Sequence, residues 1–189
     1  LTEADRTVIG KTTPKFSGGF GLKATYKGFD MSMFFNFMYD FDVLNANKIM
    51  LTTWADNKEN NFLMDIASDK RWRNFDDMGN EIRYSPEVLA EFNKNATMWN
   101  PTSIGRPICM SYAVEDGSFL RLNSATLGYT LPSVWTKKVG LSKVRFYVSG
   151  NNLFTLTGYS GYDPEVNIAT GLTPNIEYNR YPRSRTYTL

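Results

Sequence analysis

The side chains with the most evident binding chemistry are aromatic and fall in one polar stretch. Between positions 41 and 116 the chain carries Trp54, Phe62, Trp72, Phe75, Tyr84 and Trp99 among Asn, Asp, Lys and Arg. An aromatic ring offers a flat apolar face that can stack on the C–H groups of a sugar, anchor a protein interface or fill a small core. All three uses stay open on the sequence, and packing within a folded loop is the blandest of them. Trp54, Trp72, Trp99 and Tyr84 are the candidate contacts to ligand or partner. Lys70-Arg71-Trp72-Arg73 is a basic aromatic cluster, read as a solvated loop face before a phosphate or lipopolysaccharide site. Asp116, Asp163 and Glu165 lack the ligand spacing that a calcium ion needs for its roughly 6–8 oxygens, and Asp56-Asn57-Glu59 is no better. Asp116-Gly117 and Asp163-Pro164 instead have turn chemistry. Nothing places two carboxylates in a shared pocket, so general acid–base catalysis finds no support.

The residue inventory removes other chemistries. The chain has no His and one Cys, Cys109. That excludes within it a His-based zinc site, a Ser-His-Asp triad, a Cys-His pair and an internal disulfide. No cofactor or metal is expected, and the chain is not read as an enzyme. A net charge of +2 argues against a nucleic-acid partner, and 15% aromatic content argues against disorder. Apolar runs stay far short of the roughly 20 residues of a membrane-crossing helix. Leu1 to Arg6 has no secretory-signal pattern, so the start reads as internal to a longer polypeptide.

The elements that would hold these residues read as strands. From Phe16 to Lys27, Phe20, Leu22, Ala24 and Tyr26 share one parity; from Phe29 to Asp40, Phe29, Met31, Met33, Phe35, Phe37 and Tyr39 do. Period two means strands, and Lys27-Gly28 between them predicts a tight hairpin. A strand of about 9–11 residues with an apolar face bounded by aromatics fits a transmembrane β-barrel; a long strand of a soluble sandwich is the alternative. Further strands are expected near 118–131, 144–154 and 183–189, with a bulge near Asn123 where the apolar parity switches. Gly150-Asn-Asn interrupts the apolar side of the fourth. Ser85-Pro86-Glu87 predicts the start of a short helix running to about Asn95. Short connections at 27–28 and 133–142 alternate with long loops at 41–116 and 155–182, the asymmetry of outer-membrane barrels. Five antiparallel strands cannot close a barrel, so the sheet reads as part of a larger one. Arg183 and Arg185 share the parity of Tyr187 and Leu189. If that parity faces lipid, both arginines belong at or beyond the membrane boundary.

Five motifs in order are more specific than these patterns. Asp116-Gly-Ser-Phe-Leu-Arg-Leu, Leu127-Gly-Tyr-Thr-Leu-Pro, Val144-Arg-Phe-Tyr-Val-Ser-Gly-Asn-Asn-Leu-Phe-Thr, Gly158-Tyr-Ser-Gly-Tyr-Asp-Pro-Glu and Tyr181-Pro-Arg-Ser-Arg-Thr-Tyr-Thr-Leu resemble the C-terminal end of SusC/RagA-type TonB-linked outer-membrane proteins of Bacteroidetes. Ile9-Gly-Lys-Thr-Thr-Pro-Lys-Phe-Ser-Gly-Gly-Phe resembles the segment that leads into them. The resemblance covers most of the chain, least well the 41–110 region. It implies an all-β, antiparallel transmembrane barrel of about 22 strands, of which these are the last five, filled by a plug domain that lies outside this chain. It further implies location in the cell outer membrane and import of glycan or peptide cargo. A SusD-like surface lipoprotein would be the partner, and the TonB complex would act through the missing N-terminal part. The final strand stops at Leu189, where the family pattern runs on to a terminal aromatic. Two other readings stand beside this one: a soluble β-rich carbohydrate-binding module using the loop aromatics, and a porin-like barrel without TonB coupling.

Overall fold

The computed structural model describes residues 4, 6–53, 61–66, 70–101, 108–166, 174–178 and 181–189. Its main element is an antiparallel sheet of β1 (Phe16–Tyr26), β2 (Phe29–Tyr39), β5 (Phe119–Thr130), β6 (Arg145–Thr157) and β8 (Thr186–Thr188), adjacent in that order. A small second sheet has the order β4 (Val114–Asp116), β3 (Asp42–Asn45) and β7 (Ile176–Glu177). The helices are α1 (Ala46–Met50), α2 (Pro86–Asn93) and α3 (Ser133–Lys138). The chain divides into two compact units, one formed by Leu1–Leu44 with Val114–Leu189 and the other by Asn45–Ala113.

The β1–β2 turn has Lys27 at φ 45° and Gly28 at φ 88°. Two successive residues with positive φ match the twist of the flanking strands, which is why the loop needs no more than two residues. Gly28 is further constrained, since a Cβ there would lie 2.8 Å from the Thr130 carbonyl oxygen. The register between β2 and β5 slips between Phe34 and Phe35, and that between β5 and β6 slips between Leu122 and Ser124. Asn123 is the residue left over. It lets Leu120 and Leu122 join Ala125 and Leu127 on one face despite their opposite parity. Gly150-Asn-Asn interrupts the alternation of β6, as its sequence suggests, without ending the strand. Asn152 takes φ 53° at the same irregularity and the strand runs on to Thr157. The 133–142 connection holds α3, and the last strand is confined to Thr186–Thr188.

Packing in the first unit centres on Phe41, Val43, Phe119, Tyr159 and Val166, with Met38 against them. Gly117 lets this cluster close, because a Cβ there would stand 2.6–2.7 Å from Val43 and the Phe41 ring. Asp116 has the expected turn role: its Oδ1 accepts the Ser118 backbone N–H at 2.9 Å. Among the described residues of 41–116, whose sequence reads as polar and irregular, β3, α1, α2 and β4 are formed. In the second unit α2 begins at Pro86 as expected, but Ser85 makes no side-chain capping bond. The helix is held at its other end. Asn93 accepts the Arg73 backbone N–H at 2.6 Å and donates to the Arg73 and Leu89 carbonyls, each at 2.9 Å.

Candidate functional site

Reading the register across the large sheet sorts its side chains into two faces. One carries the rows Tyr26–Phe29–Tyr129–Phe146, Leu22–Met33–Ala125–Gly150–Tyr187, Phe20–Phe35–Leu122–Phe154 and Phe16–Tyr39. Aromatic rings therefore mark both ends of an otherwise aliphatic and aromatic surface. Phe29 and Tyr129 lie 4.4 Å apart between centroids, and Phe16 stacks on Tyr39 at 5.0 Å. The other face carries Lys23–Ser32–Thr126–Ser149–Thr188 and Gly19–Asn36–Arg121–Thr155. Phe34 departs from this polarity and lies over two glycines; its ring would meet a Cβ at Gly19 at 2.8 Å and one at Gly21 at 3.8 Å.

The arginines on the polar face are paired with acids. Arg145 Nε donates to Asp30 Oδ1 at 3.1 Å, and a second guanidinium nitrogen donates to Oδ2. The pair crosses directly over Gly128, where a Cβ would lie 2.5–2.7 Å from both partners. Towards the other end of the sheet, Arg121 is 2% exposed and donates to Asp163. Glu165 lies 3.6 Å from Arg121 Nε. Arg183, ahead of β8, approaches the same two acids at 3.4 and 3.2 Å. Strand, loop and the approach to β8 thus share one cluster of alternating charge. Asp163 also accepts the Glu165 backbone N–H at 2.9 Å, the turn role read from Asp163-Pro164. These acids are engaged by arginines, and among the described residues no group of three or more His, Cys, Asp or Glu is placed to hold a metal ion.

The Gly158–Glu165 motif has a second anchor. Buried Glu177 accepts the Tyr159 hydroxyl and, at 3.1 Å, the Tyr162 backbone N–H. A Cβ on Gly161 would overlap the Glu177 carboxylate, so only glycine allows this approach. Burial, reinforced by the bond to Glu177, pushes the Tyr159 ionisation well above its ordinary value. Ser160 donates from its backbone N–H and hydroxyl to Glu115 at 2.9 and 2.8 Å.

The four candidate contact residues separate in the structure. Trp54 lies outside the described residues. Trp99 is part of the packing of the second unit: its Nε1–H donates to the Thr52 carbonyl at 3.3 Å, and its ring meets Tyr112 edge-on at 5.1 Å. Tyr112 in turn donates to Asp65 at 2.8 Å and carries the Lys48 ammonium over its ring. Trp72 is held by its backbone N–H on the Met98 carbonyl, 2.8 Å away, while 40% of its surface stays exposed. Tyr84 is 79% exposed. Phe75 pairs with Glu81 in a small hairpin and is also exposed. The tip of this hairpin is tied by Asp76. Bonds from the Asn80 side chain and from the Asn80 and Met78 backbone hold its carboxyl below the usual carboxylate range. Of the basic cluster, Arg73 is engaged with Asp77 at 2.7 Å and lies over the Phe92 ring. Cys109 is exposed. Sequence reasoning missed the Asp30–Arg145 pair, Arg121 as the partner of Asp163, and Glu177. The signal for Arg121 is a charge inside the apolar Phe119-Leu-Arg-Leu start of β5.

No family model matches the chain. It is 34% identical over 195 residues to TonB-dependent receptor P3 of Formosa agariphila, a match that takes in 100% of this chain and 17% of that receptor. It is 37% identical over 82 residues to TonB-dependent receptor SusC of Bacteroides thetaiotaomicron, covering 41% of this chain and 7% of SusC. In fold it is similar to a chain of the RagAB peptide importer in its closed-closed state, with a TM-score of 0.68 and 24% identity over 93% of this chain and 16% of that one. The chain thus spans about a sixth of the length of the receptor that it matches throughout. With its ordered motifs, its two-faced sheet and these likenesses, the chain belongs to the SusC/RagA-type TonB-dependent receptors.

Proposed function

We propose that this chain forms part of the wall and external loops of a TonB-dependent transporter in the outer membrane. The observation that carries the reading is the sheet with one apolar face bounded by aromatics and one polar face that holds arginine–acid pairs. A strand of 11 residues such as β2, rising about 3.3 Å per residue and tilted by about 45°, covers roughly 25 Å of membrane normal. A soluble module would leave this apolar face in water, where exposed patches of such extent are rare. The outer edges of β1 and β8 would pair with further strands of a barrel of about 22. The order of the motifs favours the C-terminal end of that barrel. Strands 16–26, 29–39, 119–130, 145–157 and 186–188 supply the wall, and 41–116 and the part of 155–182 that follows Thr157 supply the external loops. The whole protein would import glycan or peptide with a SusD-like surface lipoprotein and draw energy from the TonB complex through its N-terminal part. Its role is transport, not catalysis. Trp72 and Tyr84, exposed on the second unit, are the proposed contacts to partner or cargo.

Spin labels placed in the whole receptor in lipid test this reading. Labels at Met31, Met33 and Phe35 should relax with oxygen, and labels at Ser32 and Asn36 with a polar reagent. Protection of the odd positions from both reagents would mean that they pack in a protein core, and the barrel reading would fall.

A further inference from the structure

The connection between β5 and β6 is exposed where a hairpin turn would ordinarily be polar. Val134, Trp135, Val139 and Leu141 are 67%, 60%, 70% and 50% exposed, and Thr136 is the buried residue of α3. The segment has defined backbone bonds: Leu131 N–H to the Val144 carbonyl at 3.0 Å, Trp135 N–H to Pro132 at 2.9 Å and Leu141 N–H to Thr136 at 3.0 Å. Leu131–Val144 contains Lys137, Lys138 and Lys143 and no acid. It stands at the end of the sheet marked by Tyr26, Phe29, Tyr129 and Phe146. The Thr130 N–H, 2.8 Å from the Gly28 carbonyl oxygen, sets this connection beside the β1–β2 turn.

We infer that α3 and the turn after it form a lipid-contact site, seated in the headgroup region of the periplasmic leaflet beside the barrel wall. This rests on the membrane-wall reading. Trp135 and Val139 are four residues apart and share a side. They extend the aromatic belt outward, where Trp prefers the interface between chain and headgroup. The lysines supply charge complementary to lipid phosphates and keep their ammonium groups in water while their stems cover apolar surface. An apolar side flanked by lysines is the composition of segments that lie in the interface plane. An acidic protein would also satisfy the lysines, but continuity with the aromatic belt is specific to lipid.

Site-directed labels on the whole receptor decide between these occupants. The receptor, with native cysteines replaced, is reconstituted in vesicles of zwitterionic phospholipid with an anionic fraction. Nitroxides are placed by Val139→Cys and Leu141→Cys. Met31→Cys and Leu127→Cys report the wall, and Ser142→Cys serves as a nearby reference. The inference expects higher oxygen access and lower access to a polar reagent at 139 and 141 than at 142. It also expects a shift of 139 and 141 toward water in a Lys137→Glu/Lys138→Glu background. Water-like values at 139 and 141 with intact wall signals at 31 and 127 would overturn the inference and leave the wall reading standing. Protection of 139 and 141 from both reagents would show a protein seated there and would also overturn it. Loss of oxygen access at 31 and 127 would remove the wall itself.

Discussion

Arg121 is a buried cation on a strand face, answered by two acids that the sequence places over 40 residues downstream. Removing one member of a buried ionic group costs more than the group contributes, because its partners stay desolvated. Arg121→Met should therefore destabilise the receptor by about 3–5 kcal/mol in denaturant unfolding from lipid. The double variant Arg121→Met/Asp163→Asn should lose less than the sum of the two single changes, since it also removes the orphaned charge. A strictly additive double would mean that the two side chains act independently. Tyr159 gives a pH effect of definite sign. Its ionisation is raised in the folded state by burial and by its bond to Glu177, so the folded chain holds this proton more tightly than the unfolded one. The stabilisation is fully present below the ordinary tyrosine pKa of about 10 and declines as pH rises above it. Phenolate absorbance should show a late-ionising tyrosine that Tyr159→Phe abolishes, and an unchanged titration would refute the assignment. These partnerships were not legible in the sequence. Alternation marks a position along a strand, whereas Arg121–Asp163 and Tyr159–Glu177 depend on how distant loops return to the sheet.

Period-two patterns were legible where an element is long and two-faced. Phe29–Tyr39 alternates over its whole length and is a strand over that length. The parity switch in 118–131 marks the bulge at Asn123, because an extra residue is what restores two apolar halves to one face. Short elements gave no such signal. β3 and β7 have four and two residues, too few for a period, and they form because Leu44 finds the Asn175 carbonyl at 2.9 Å. The wall reading makes a paired prediction at this scale. Met33→Arg would put a cation on the face assigned to lipid near mid-strand and should cost about 2–4 kcal/mol in lipid-phase unfolding. Ser32→Arg, one residue away on the polar face, should cost far less. Equal costs would contradict the two-faced assignment. The hairpin turn offers a change in the other direction. Lys27 sits at φ 45°, a conformation costing an L side chain roughly 1–2 kcal/mol but tolerated by Asn. Lys27→Asn should raise stability by up to about 1 kcal/mol, measured by the same unfolding equilibrium. A loss of stability would mean that Lys27 is held by something other than the turn, for instance its contact with the Tyr26 ring.

At the scale of the whole molecule, the two units divide structural from contact chemistry differently from the way their composition does. Aromatic content alone made Trp72, Trp99 and Tyr84 equivalent candidates. The fold separates them, because Trp99 spends its N–H on Thr52 and its ring on Tyr112, while Trp72 and Tyr84 keep large exposed faces. Ring exposure is set by how a loop folds on itself, and no local spacing records that. Different failures follow on substitution. Trp99→Ala should loosen the second unit by about 2–3 kcal/mol, somewhat below the range for a fully buried ring, seen as faster proteolytic cutting within 45–113. Trp72→Ala and Tyr84→Ala should leave that cutting rate unchanged, because neither ring is needed to close the packing. If they are contact residues, each should weaken binding of the isolated surface lipoprotein or of cargo to the whole receptor by about 1–2 kcal/mol, the size of a moderate interface anchor. Running both binding assays separates the roles. A loss confined to the lipoprotein makes the exposed rings a docking surface, and a loss confined to cargo makes them a stacking platform. Unchanged affinity in both assays with unchanged proteolysis would remove Trp72 and Tyr84 from the contact surface.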